Sequence, residues 1–85
     1  MANWGKMLKD EFRDRGDDFA KMKTTLSNEQ LNREFNDGYG GSNGDHFTAW
    51  GENFVYFPVV YDGAEWVGSA PRNPCNIECS HVGGE

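Results

Sequence analysis

The stretch Phe54-Val-Tyr-Phe-Pro-Val-Val-Tyr-Asp-Gly-Ala-Glu-Trp-Val-Gly-Ser-Ala70 decides the architecture. Its first eight residues are dense in the β-branched and aromatic side chains that suit a pleated surface. Asp62-Gly63 then supplies the residue pair that a two-residue hairpin favours, because both turn positions need positive φ. Glu65–Ala70 reads as the returning strand, and Pro71-Arg-Asn-Pro74 stops it. Upstream, His46–Trp50 reads as a further strand, joined by the short turn Gly51-Glu52-Asn53. The second half of the chain is therefore expected to be a three-stranded antiparallel β-meander, at about 46–50, 54–61 and 65–70. Pro58 conflicts with a fully paired central strand, since it has no N–H to give to a ladder. It predicts either a bulge there or a short first strand that pairs only with residues away from it.

The first half reads as helix. Asn3 can cap a helix in which Trp4, Leu8, Phe12, Arg15 and Phe19 recur near a 3.6-residue period. Gly16-Asp17-Asp18 is its weak point, so residues 4–23 read as one long helix or two short ones meeting at Gly16. Ser27 and Gln30 make a capping box ahead of a second helix, expected over about 27–36 and ended by Gly38. The fold class is thus α+β, with N-terminal helices packed on the meander in a single domain over 1–85. Residues 1–23 could be an appended helical arm, and residues 75–85 an irregular tail. The glycine-rich run 36–45 reads as a connector. A phosphate cradle is rejected because no Lys follows and Asp37 and Asp45 would repel phosphate.

Charge is unevenly placed on this chain of net charge −6. Residues 1–23 hold six of the eight Lys and Arg against five acids, a balance of +1, and the remainder holds nine acids against Arg33 and Arg72, a balance of −7. Such a field repels nucleic acid and attracts basic protein surfaces, including those that normally hold nucleic acid. No apolar run long enough for a transmembrane helix occurs, so no membrane partner is expected. Two cysteines do not make a disulfide framework, and the expected setting is a reducing cytoplasm.

Alternation along the central strand places Phe54, Tyr56, Pro58 and Val60 on one face and Val55, Phe57, Val59 and Tyr61 on the other. Both faces are apolar, whereas a sheet with one face in water alternates apolar with polar. Something must cover the second face: the long helix, a partner, or a second copy of the chain in a homodimer. The residues expected to bind a partner are Glu52, Asp62 and Glu65 on the acidic surface, with Trp50, Tyr56, Tyr61 and Trp66 on the aromatic faces. The tryptophans also admit a second reading, as stacking platforms of a ligand-binding module. A third reading is a small zinc-stabilised domain, since Cys75, Cys79, His81 and His46 form the one set with near-ligand spacing. No acid/base pair or oriented nucleophile stands out, and a non-enzymatic protein is expected.

Phe47-Thr-Ala-Trp50, Val55-Tyr-Phe-Pro-Val-Val-Tyr-Asp-Gly63, Glu65-Trp-Val67 and Ser69-Ala-Pro-Arg-Asn-Pro74 together resemble a small family of uncharacterised phage and prophage proteins. The resemblance runs from about Leu26 to Gly84 and leaves residues 1–23 outside it. It implies a context and no site residues. Small acidic phage proteins bind and block host proteins, including DNA-handling machinery and CRISPR complexes. The resemblance therefore implies a phage-type accessory protein of the host cytoplasm that inhibits or modulates a host protein, an anti-CRISPR-like inhibitor being one form.

Overall fold

The computed structural model describes residues 2–36, 38 and 43–82. Most of the glycine-rich connector (37 and 39–42) and the end of the tail (83–85) lie outside the described residues. The element order is α1 (Trp4–Arg15), a 3₁₀ turn (Phe19–Lys21), β1 (Lys23–Thr24), α2 (Asn28–Asn32), β2 (Ala49–Trp50), β3 (Phe54–Tyr61) and β4 (Ala64–Pro71). The four strands form one antiparallel sheet in the order β1-β2-β3-β4.

The first helix is one short helix and not the long one that residues 4–23 allowed. Asn3 caps it, its Oδ1 accepting from Lys6 N at 2.8 Å. Gly16 ends it at φ 73, with Gly16 N donating to Arg13 O and Asp17 N to Phe12 O. Those two bonds make a Schellman cap, which satisfies the last carbonyls and turns the chain sharply away. Trp4, Leu8 and Phe12 are at most 1% exposed, so α1 builds the core and is not an appended arm. The chain then makes its 3₁₀ turn, which sets Phe19 edge-on to Phe12 at 5.4 Å.

The capping box of α2 is present: Ser27 Oγ accepts from Gln30 N, and Gln30 Oε1 accepts from Ser27 N. The helix stops at Asn32 and does not reach 36, because Phe35 exchanges both backbone hydrogen bonds with Ala2. That bridge pulls the chain straight and delivers the Phe35 ring to Trp4, centroids 4.9 Å apart.

In the sheet, β3 has the expected bounds, β4 gains one residue at each end, and β2 is shorter than 46–50. A fourth strand, β1, was not foreseen. It holds to β2 by two residue pairs, and Thr25 N reinforces it by donating to Thr48 O at 3.0 Å. Asp62 (φ 53) and Gly63 (φ 87) supply the two left-handed positions of the hairpin. The β3–β4 register runs unbroken from Phe54↔Pro71 to Tyr61↔Ala64, so Pro58 makes no bulge. The other option holds: β2 pairs only with Val55 and Tyr56. Phe54 O accepts from Gly51 N, so alternate residues from Phe54 onward turn their backbone groups toward the β2 side. Pro58 is one of these, and it lies beyond the end of β2.

Register assigns the faces. Glu65, Val67 and Ser69 lie with Phe54, Tyr56, Pro58 and Val60, while Trp66, Gly68 and Ala70 lie with Val55, Phe57, Val59 and Tyr61, joined by Trp50. Helix α1 covers the Tyr56 face: Phe12 stacks on Tyr56 at 4.1 Å and 13° between planes. Arg15 Nε donates to Ser69 Oγ (2.8 Å), which donates in turn to Glu11 Oε2 (2.7 Å). Helix α2 packs on α1.

The seam between the helix end and the β2–β3 turn leaves no room at Gly51, where an added Cβ would collide with the Asp17 carboxylate and come within 2.9 Å of Phe12. Gly51→Ala should therefore cost about 2–3 kcal/mol as an overpacked core site, seen as a melting temperature roughly 10–20 °C lower. An unchanged melting temperature would mean that the seam is loosely packed.

Candidate functional site

Among the described residues two carboxylates are buried, and both accept hydrogen bonds on each oxygen. Asp17, delivered by the cap of α1, accepts from Asn53 N (3.2 Å), Asn53 Nδ2 (3.4 Å), Phe54 N (3.2 Å) and the Tyr56 hydroxyl (2.8 Å). Glu65 accepts from Asn43 N at 2.6 Å and Gly44 N at 2.9 Å. Among the described residues no buried side-chain polar atom lacks a hydrogen-bond partner. These bonds hold loops to the sheet, Asp17 tying the β2–β3 turn to the end of α1 and Glu65 tying the Asn43–Gly44 backbone to β4.

This geometry sorts the residues expected to meet a partner. Tyr56 is 0% exposed, sandwiched under Phe12, and belongs to the core. Glu65 is 5% exposed and serves as a loop anchor, so it is not part of the acidic surface. Its register with Val60 puts it on the Tyr56 face, where the backbone of Asn43 and Gly44 lies against its carboxylate. Glu52 and Asp62 are exposed at opposite ends of β3, Glu52 within 3.4 Å of Lys21 Nζ. Trp50, Trp66 and Tyr61 share the second sheet face. Trp50 is level with Val55 and Trp66 with Val59, which places them about 13 Å apart along the strands. They cannot close on one small ring from two sides.

The four metal candidates do not come together. Cys75 and Cys79 are free and exposed in the irregular tail, and among the described residues no group of three or more His, Cys, Asp or Glu is placed to hold a metal ion.

What distinguishes the second face is its cover. The described helices lie on the other side of the sheet or on one another. The tail approaches it, where Cys79 and Val82 share a cleft with Phe57, Trp66 and Gly68, and His46 shares a second cleft with the buried Val59. The face is paved by its own rings: an added Cβ on Gly68 would lie 2.7 Å from both Phe57 and Val59, so these side chains lie down across the glycine. Trp50, Val55, Phe57 and Trp66 are half-buried as a result, and Tyr61 is 49% exposed.

No protein-family model matches the chain, and neither a curated protein nor a solved structure matches it. The assignment of the site accordingly rests on the chain's own geometry. The candidate site is the Trp50–Tyr61–Trp66 face, with Glu52 and Asp62 at its two ends. Val55 and Phe57 complete it. Period-2 alternation pointed to these two as members of an apolar face, though they were not singled out as site residues.

The Tyr56–Asp17 contact has a consequence in pH. Burial first, then the hydrogen bond to Asp17 and the charges of Asp17 and Glu11, push the Tyr56 phenol far above its ordinary value, with Arg15 opposing. An unfolded tyrosine ionises near pH 10. Above that pH the unfolded chain binds fewer protons than the folded one, so this contribution to stability is full below pH 10 and declines as pH rises, by at most about 1.4 kcal/mol per unit. Urea unfolding at pH 9, 10 and 11 should show the decline. Tyr56→Phe should remove that component and lower stability at pH 8 by about 1–2 kcal/mol. Equal alkaline slopes in the two proteins would refute the account. For the tail, chelator and the Cys75→Ser/Cys79→Ser change should each leave the melting temperature unmoved; a drop in either would restore the zinc reading.

Proposed function

We propose that the chain is a non-enzymatic binding protein whose second sheet face docks on a protein partner. The observation that carries this reading is a hairpin of two eight-residue strands with apolar side chains on both faces and a helix over only one of them. Aromatic residues at the centre of a patch with a polar rim are the usual composition of a protein interface. Here Trp50, Phe57, Tyr61 and Trp66 form the centre, and Glu52 and Asp62 mark the ends. A partner with an apolar patch flanked by basic residues complements that arrangement.

Two further features support a non-enzymatic reading. The buried carboxylates spend their oxygens on backbone donors and a phenol, and the free cysteines lie in an exposed tail. A basic-rimmed partner is also the kind of surface by which host proteins hold nucleic acid. We therefore propose a phage-type accessory protein that occupies such a host surface, acting in the cytoplasm, with inhibition of a defence complex as the specific form. Among the described residues, no helix is long and apolar enough to cross a membrane.

Affinity capture from host lysate, with parallel capture on face variants, tests this. Tyr61→Ala should weaken retention of the captured protein by about 1–2 kcal/mol. Val55→Lys should abolish retention, with melting temperatures near that of the unaltered chain. The captured protein should bind the purified chain directly. Capture that is indifferent to both substitutions would sink the proposal, because the face would then not be the contact.

A further inference from the structure

A second surface lies in the helical layer, on the far side of the sheet from that face. Helices α1 and α2 approach closely at Gly5, where an added Cβ would sit 3.0 Å from Leu31 O. Beside this crossing runs a groove of about 410 Å³. Lys6 and Lys9 stand on its α1 wall, Asn28 and Asn32 on its α2 wall, and Phe19 and Leu31 offer apolar surface between them. Phe19 and Leu31 are anchored, since both pack partly against the core.

The charge of the groove is the notable point. The chain carries net charge −6, yet no acidic residue lines this groove. The ion pairs among the described residues join Arg13 to Asp10, Lys21 to Glu52 and Arg33 to Asp45. Lys6 and Lys9 take part in none of them. They project from one helix face three residues apart, about 4.5 Å along the axis. Two uncompensated ammonium groups beside a fixed apolar floor suit carboxylates flanking an apolar side chain. The asparagine wall adds amide groups of the kind that pair with a peptide backbone.

We infer that the α1–α2 groove binds an acidic peptide segment of a partner protein, with Lys6 and Lys9 receiving its carboxylates and Phe19 and Leu31 an adjacent apolar side chain. A nucleic-acid strand fits less well. It needs a track of cations against successive phosphates, and this groove offers two. The surface is independent of the aromatic face, and either could fail while the other stands.

The test uses the full chain and a labelled peptide of the pattern Glu-Glu-Leu-Glu-Glu, read by fluorescence polarisation, with backbone amide NMR shifts to locate the contact. Binding should weaken with added salt, and it should shift the amides of Lys6, Lys9, Asn28 and Asn32. Lys6→Glu/Lys9→Glu should weaken it about tenfold or more. The neutral pair Lys6→Ala/Lys9→Ala should weaken it less, and Lys23→Glu, outside the groove, should leave it unchanged. Replacing the leucine by glycine should also weaken binding, since the floor loses its ligand. The inference is overturned if the peptide fails to bind at millimolar concentration, or if the double variants bind it as well as the unaltered chain. Tighter binding of an oligothymidine of equal charge, or amide shifts that track self-association, would also overturn it.

Discussion

The carboxylate of Asp17 holds this fold in register. It enters the interior directly after the Schellman cap of α1 and meets Asn53 and Phe54 N–H and the Tyr56 hydroxyl. A buried carboxylate is costly unless its oxygens are occupied, and this one accepts four bonds. Occupation fixes the end of α1 against the β2–β3 turn. The Phe12–Tyr56 stack follows, because the hydroxyl that reaches Asp17 places the Tyr56 ring under Phe12. Gly51 is required for the same reason, since a side chain there would displace the carboxylate.

Fixing α1 on the Tyr56 face decides what is left for binding. One helix cannot lie on both sides of a twisted sheet, and the short α2 packs on α1. The hairpin's other face keeps its aromatic residues with no helix above them, and the helical layer keeps its unpaired lysines on the opposite side. The result is a two-sided molecule. An aromatic surface with acidic ends faces one way, and a small basic groove in an otherwise acidic chain faces the other.

The sequence makes the hairpin plain. Asp62-Gly63 is a pair chosen by backbone conformation, and the side-chain density of 54–61 leaves little else for that run to be. The short α1 was legible at Gly16 but undecided, because a glycine within a helical pattern is tolerated when packing supports it. Strand β1 left no pattern to read: two residues, Lys23 and Thr24, hold by backbone pairing and neighbouring threonine bonds. Asp17 looked like a helix breaker because its donors lie 36 residues or more ahead. Tyr56 and Glu65 were misjudged for one shared reason. Alternation tells which residues share a face, but which face meets the helix depends on that distant contact. That Trp50, Tyr61 and Trp66 share one face was not legible either, since alternation sorts residues within a strand and only the register between strands joins them.

Pro58 gives the sheet a further property. Because β2 is short, among the described residues no strand pairs with the outer half of β3 on the β2 side, in a hairpin rich in valine and aromatic residues. An edge of that composition is a template on which identical chains can stack strand upon strand. Proline places a missing donor in the open stretch, so an incoming strand meets a gap in the ladder where it would need to bond. The same residue that complicates a simple meander thus weakens the template that this strongly β-forming segment would otherwise offer to a second strand.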